Sequence, residues 1–438
     1  FQEVTGAELA APLLDGGTIR YANLDYAASA PALASVTAYL EQLLPYYASV
    51  HRGAGYASQV STSVYEHSRN VLRSFVGGRA DDLVIFTRNT TDSLNLLAGC
   101  IPDGEVLYLD IEHHANLLPW QAVPHRSVVA RQSVAATLEA IEAELASGHV
   151  SLVAITGASN VTGEIFPIAE TARLAHRHGA RIVVDAAQLA PHRRLDIARD
   201  NIDYVVLSGH KLYAPFGAGA IIGRADWLDS GTPHLAGGGA VKQVRLDSVV
   251  WTTGPARHEA GSPNVLGAAT LARAAELIAQ LDEAAWQQHE SVLRGYLTER
   301  LEAVDSVSVH RIFSNETTPL EAIGVVNFSV AGYDAGLVAA YLSAEHGVGV
   351  RDGKFCAHPL LNRLGLPSGS LRASFGLGSR LEDAARLADG VEALVRDGLR
   401  HDYVVESGRW VPAVETRTFP EWAPVTPGTA GAAPCSSD

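Results

Sequence analysis

The chain has 438 residues, 47% of them hydrophobic, and a formal net charge of −15 at neutral pH. That charge argues against nucleic acid or an anionic membrane surface as the main partner, because both select clustered Lys and Arg; small molecules and proteins remain. The length suits one large core and a smaller one, so two domains are expected.

No apolar run reaches the roughly 18 residues of a membrane span, and the opening "FQEVTGAELAAPLLDGG" lacks the basic and apolar segments of a secretion signal. A soluble cytoplasmic protein is therefore the expectation. Three cysteines, Cys100, Cys356 and Cys435, show no CxxC spacing, so neither a disulfide framework nor a thiolate metal site is indicated. The chain contains no methionine, a feature the residues do not explain.

Residues 1–45 add nothing to a strand–helix series and are grouped with the smaller domain. From about residue 82 short β-branched runs alternate with helical patterns, beginning with "DLVIF" and "TTDSLNLLAG". In "SVAATLEAIEAELASG", Val134, Leu138, Ile141 and Leu145 fall at helical spacing and Gly148 stops the helix, after which "HVSLVAIT" reads as a buried strand. "PIAETARLAHRHG" follows as a helix with Pro167 in its first turn, then the strands "ARIVVDAA" and "IDYVVLSG". This alternation predicts an α/β domain over 46–282, a mostly parallel sheet covered by helices on both faces.

After residue 283 the pattern changes to a long helix, strands around "VSVH", "GVVNFSV" and "LRASFGL", and a last helix at "LEDAARLADGVEALVRDG". Residues 283–400, with 1–45, read as a small α+β domain. Residues 401–438 form an extension, with a hairpin expected on the Ser407-Gly408 turn and a disordered tail from "PVTPGTAGAAPCSSD".

Ligands of parallel α/β sheets sit beyond the carboxyl ends of the strands, so Asp185 after "RIVV" and Lys211 in "SGHKLYAPFGAG" should face one crevice. A lysine and a carboxylate so placed suit pyridoxal phosphate, which needs an amine for its Schiff base and an acid to keep its ring nitrogen protonated. An isolated "GHK" would read as a surface lysine, and the surroundings decide otherwise. Thr90 and Thr91 sit where a strand becomes a helix, with Ser208 and His210 beside the lysine, as candidate phosphate donors.

Ten stretches in this order, "LDYAASAP", "VHRGAGYAS", "RNTTDSLN", "EHHANLLPW", "SNVTGEIFPI", "VVDAAQ", "LSGHKLYAPFGAG", "HEAGSPN", "RDGKFCAHPL" and "LRASF", resemble the class V, fold-type I pyridoxal phosphate enzymes over roughly residues 20–400. The resemblance is nearest to the SufS-type cysteine desulfurase and selenocysteine lyase group. It implies that Lys211 carries the cofactor, Asp185 pairs with its ring nitrogen, and His113 stacks on the ring. It further implies that Gln188 reaches the phenolic oxygen, and that Thr91, Ser208 and His210 cradle the phosphate.

On the substrate side it implies Asn160 and Arg372 for the carboxylate, the planar fork of the arginine being suited to that group; Arg351 and His51 belong to the same set. "EAGSPN" matches a loop that reaches the partner subunit's phosphate, with Ser262 in place of a threonine, so a homodimer is implied. "RDGKFC" fits the pattern of a persulfide-forming loop, making Cys356 the sulfur acceptor and implying a sulfur-acceptor protein downstream.

Lys354 and Phe355 depart from the small or histidine residues often found there, and His358 follows the cysteine. Class V members also include aminotransferases, epimerases, decarboxylases and C–S lyases, and fold does not choose among them. A class V enzyme for another amino acid, with Cys356 structural, therefore stays open. A non-catalytic scaffold subunit is the third reading, against which the intact Lys211 and Asp185 speak.

Overall fold

Apolar, β-branched segments build the centre of the molecule. The computed structural model describes residues 1–317 and 320–423; the tail expected to be disordered, 424–438, lies outside the described residues. Seven strands form the main sheet, in the order Leu83–Thr87, Gly219–Gly223, Tyr204–Ser208, Arg181–Asp185, Val150–Thr156, Glu105–Leu109 and His125–Val128. Gly219–Gly223 alone runs antiparallel to its two neighbours; the remaining pairings are parallel. Tyr204–Ser208 and Gly219–Gly223 are buried throughout, as strands covered on both faces must be.

The helices Thr90–Ala98, Val134–Ala146 and Ile168–Arg177 connect these strands, each with an apolar side that supplies buried residues. Gly219–Gly223 was not foreseen as a strand. It passes so close to the loop before Thr90 that a Cβ at Gly219 would lie 2.6 Å from the Asn89 Cα. Glycine is what lets the sheet set the start of that helix.

A second sheet is antiparallel, ordered Val307–Val309, Val325–Val330, Ser370–Ser374 and Arg351–Gly353. With the helices Glu283–Glu302, Ala335–His346 and Leu381–Asp397 it encloses a separate cluster centred on Phe328, Tyr341 and Phe375. Residues 1–45 contribute to both cores. Ala22 and Leu24 enter the second cluster and Ala22–Asn23 pairs with Val348–Gly349, whereas Leu33 and Val36 enter the first and Ala34–Leu43 packs on Val265–Ala279.

Beyond residue 400, Tyr403–Glu406 pairs with Arg409–Pro412 around Ser407 and Gly408, both at positive φ. This hairpin lies on Ala335–His346, where Tyr403 Oη donates to Glu345 Oε1 at 3.0 Å. Among the described residues no helix is long and apolar enough to cross a membrane.

Candidate active site

The carboxyl ends of the parallel strands open on a cavity of about 370 Å³, with residues of the second sheet as its opposite wall. Asp185 ends one strand, Ser208 ends the next, and Thr156 stands opposite Asp185 in register. Lys211 follows Ser208 by three residues. Its turn is tight: a Cβ on Gly209 would meet the Ala218 and Ala214 carbonyl oxygens at 2.7 and 2.9 Å. Tyr213, at φ 58, pins the turn by accepting the Leu377 N–H at 2.9 Å. The glycines around the lysine thus serve a backbone crossing that aims Lys211 into the cavity.

Enclosure pushes the Lys211 amine down to about 8, opposed by the charge of Asp185 and helped by that of Arg372. A fraction of the amine is therefore uncharged near neutral pH. Burial raises the Asp185 carboxyl, while the Ala187 N–H, donating to its Oδ1 at 3.0 Å, and Lys211 pull it back. His113 opens a short helical turn by accepting the Ala115 N–H on Nδ1 at 3.0 Å. Burial, then the Lys211 charge, bring its ring down to about 3, so it is neutral with its proton on Nε2.

Thr90, Thr91, Ser208 and His210 line the same cavity. Thr90 and Thr91 begin the helix that Asn89 caps through the Asp92 N–H. Thr90 Oγ1 and Ser208 Oγ are buried and meet no hydrogen-bond partner among the described residues. Buried hydroxyls without partners are costly, and two of them beside a helix N-terminus form the donor set a phosphate requires. Burial, then Lys211, take His210 down to about 4. These residues fit pyridoxal phosphate: buried hydroxyls for a phosphate, Asp185 for the ring nitrogen, and the Lys211 amine in the same cavity. Gln188 is buried at the same wall, its Nε2 donating to the Ala27 carbonyl at 2.7 Å.

Arg372 comes from the second sheet, opposite Arg351 in register. Its Nη2 donates to Asp25 Oδ1 at 3.0 Å and its Nη1 to the Asn160 carbonyl at 2.9 Å, while Nε is buried and meets no partner among the described residues. Burial lowers its pKa and the carboxylate of Asp25 opposes this. Asn160 Nδ2 donates to the Phe355 carbonyl at 2.8 Å. Phe355 and Cys356 both adopt left-handed φ, 52 and 51. For side chains of this kind such a conformation costs on the order of 1–3 kcal/mol per residue, so the surroundings must hold it. They do so through Asn160 and through the His114 N–H, which donates to the Cys356 carbonyl at 2.7 Å.

Two sequence-predicted residues lie elsewhere. His51, exposed at φ 62, bonds Glu66 Oε1 at 2.9 Å on the rim of a separate opening, and Ser262 is exposed on the loop beside that opening. In one chain neither lines the cavity: His51 lies in the segment before the helix Tyr56–Phe75 and Ser262 in the loop before Val265–Ala279.

Three residues were missed. Asp25 lay unremarked in the quoted "LDYAASAP". Phe355 was noted only as a departure. Glu112, fully buried, accepts the Thr156 N–H at 3.0 Å and Asn116 Nδ2 at 2.7 Å, and burial drives its carboxyl well above the usual range. It fixes the turn that presents His113 against the strand next to Asp185.

The family described as "Aminotransferase class-V" matches residues 22–387. A cysteine desulfurase of Dickeya dadantii is 33% identical over 389 residues, covering 86% of this chain and 92% of that protein. A probable cysteine desulfurase of Vibrio cholerae is 34% identical over 80% of this chain and 87% of its own length. Among solved structures, the cysteine desulfurase of Thermococcus onnurineus superposes with a TM-score of 0.78 at 31% identity, covering 86% of this chain and 95% of that one. The Escherichia coli cysteine desulfurase CsdA gives 0.77 at 29% identity, covering 86% and 94%. Together with a cavity lined by Lys211, Asp185, Thr90 and Ser208, these matches establish that the chain belongs to the class-V aminotransferase family and is a pyridoxal phosphate-dependent enzyme.

Proposed function

We propose that this enzyme removes sulfur from cysteine, or selenium from selenocysteine, leaving alanine and a persulfide on Cys356. The observation that carries the reading is the presence of Cys356 in the same cavity as Lys211, Asp185 and Arg372. The similarity to proteins named cysteine desulfurase supports it.

Thr90, Thr91, Ser208 and His210 would hold the phosphate, Asp185 the ring nitrogen, Gln188 the phenolic oxygen, and His113 one face of the ring. Bound pyridoxal phosphate supplies an electron sink for charge developing beside the substrate amino group. Lys211 would carry the cofactor and, freed once the substrate amine has taken its place, is positioned to move the proton at the substrate α-carbon. Arg372, with Asn160 and Arg351, orients the substrate carboxylate. The Cys356 thiolate attacks the substrate sulfur. The carbon–sulfur bond breaks with its electron pair left on carbon, which takes a proton to give alanine, and a sulfur–sulfur bond forms on Cys356.

The persulfide requires an acceptor protein or thiol to regenerate Cys356. A homodimer belongs to the same reading, since Ser262 and His51 sit on exposed segments away from their own cavity and would complete a partner's.

Incubation of the holoenzyme with a panel of amino acids, following products, tests the reading. Alanine from cysteine with loss of turnover in Cys356→Ser supports it. A keto acid or an inverted centre formed equally well by Cys356→Ser overturns it.

A further inference from the structure

The loop Lys354–Ala357 carries a contradiction. An aromatic residue, Phe355, occupies a left-handed conformation at φ 52, followed by Cys356 in the same region at φ 51. Large side chains rarely adopt such a φ, and an outlier at a functional cavity calls for a specific cause. Glycine would relieve the strain, so the ring must do something that glycine cannot.

Phe355 is buried, faces the cavity and belongs to the main core cluster, although its chain segment comes from the second sheet's side. The Arg372 guanidinium lies over its ring, 5.1 Å from the centroid. Its carbonyl accepts from Asn160 Nδ2 at 2.8 Å. One residue thus touches both groups assigned to the substrate carboxylate, by its ring and by its main chain, and is bonded directly to Cys356. The ring also covers a guanidinium whose Nε is buried and meets no partner among the described residues. A flat apolar face beneath it steers Arg372 without taking up hydrogen bonds that a carboxylate would use.

We infer that Phe355 is a positioning residue that makes carboxylate recognition and thiol presentation a single unit. Its ring holds Arg372 in the orientation that receives the carboxylate, and its carbonyl, tied to Asn160, holds Cys356 in its strained place over the substrate. This inference rests on the proposed function for the identity of the nucleophile. A carboxylate bonded to Arg372 fixes the guanidinium in its place over the ring and thereby steadies the loop, so binding at one end of the substrate sets the thiol at the other. Cys356 is presented by the same contacts that sense substrate.

The test compares holoenzymes of wild type, Phe355→Leu and Phe355→Tyr. L-Alanine, an amino acid without sulfur, serves as the probe. Leucine keeps apolar bulk and loses the aromatic face; tyrosine keeps it. Phe355→Leu should bind L-alanine about fivefold more weakly by calorimetry, the size of one cation–aromatic contact, and its peptide 351–361 should exchange amide hydrogens several-fold faster. Phe355→Tyr should restore both. In wild type, L-alanine should slow exchange in that peptide. A role confined to core packing would lower the melting temperature of Phe355→Leu and leave L-alanine affinity and loop exchange unchanged, and that result overturns the inference. So does a wild-type loop whose exchange ignores bound L-alanine, a measurement that needs no variant. Failure of wild type to form a persulfide would count against the desulfurase reading alone, because neither L-alanine binding nor loop exchange depends on sulfur transfer.

Discussion

Arg372→Ala removes three interactions at once: the ion pair with Asp25 at 3.0 Å, the hydrogen bond to the Asn160 carbonyl at 2.9 Å, and the stack on Phe355. A substrate carboxylate loses a charge-assisted partner of about 1.5–3 kcal/mol, roughly ten- to a hundredfold in affinity. Arg372→Lys keeps the charge but not the fork, so a loss smaller than that of Arg372→Ala is expected. Folding should suffer less than binding. Arg372 is 4% exposed, but its partner Asp25 is 26% exposed and takes up water once the arginine is gone, so the cost falls below the ~3–5 kcal/mol of a wholly buried pair. Calorimetric binding of L-alanine and the KM for cysteine measure the first effect, and thermal melting the second. Wild-type affinity in a folded, cofactor-loaded Arg372→Ala would refute the assignment of the carboxylate to this residue.

Cys356→Ser should keep the visible absorption of bound cofactor and its change on adding cysteine, while alanine formation falls to background, because a serine hydroxyl neither ionises readily nor accepts sulfur. His113 and His210 are held neutral down to about 3 and 4, whereas in the unfolded chain they charge below about 6.5. The unfolded state then binds more protons, so the contribution of these two rings to the stability of the cofactor-free protein is complete above about pH 6.5 and is lost as pH falls through about 4 and 3. His113→Gln should shrink that slope by about one proton in melts across the window, and an unchanged slope would contradict the assignment. Glu112→Ala strands the Thr156 N–H and the Asn116 amide in the core, so a loss of roughly 2–5 kcal/mol in denaturant unfolding is expected, with loss under 1 kcal/mol contradicting the role.

Much of the site was legible because strand ends in a parallel sheet face one crevice. Asp185 and Ser208 stand on neighbouring strand ends with Lys211 in the following turn, and local pattern was enough to bring them together. The place of Thr90 in the cavity wall followed from its strand-to-helix junction. What sequence could not supply were contacts made across the fold. Asp25 meets Arg372 from 347 positions away, and neither side alone carries a periodic signal. Phe355 was unreadable because a left-handed φ at an aromatic residue contradicts local preference and is imposed by Asn160 and His114 from the other sheet. Gly219–Gly223 escaped as a strand since glycine and alanine are weak strand formers, and its role lies in the close approach to Asn89. Residues 1–45 divide between two cores for a similar reason: the pairing of Ala22–Asn23 with Val348–Gly349 is set by tertiary contact.

The central claim is that Cys356 receives the substrate's sulfur. A single turnover of holoenzyme with cysteine, followed by alkylation, digestion and mass analysis, tests it most directly, with released alanine measured in the same sample. The account predicts one additional sulfur on the Cys356 peptide, none on the Cys100 peptide, and alanine in equal amount. Alanine released while Cys356 stays unmodified, or no alanine from cysteine at all, would contradict it.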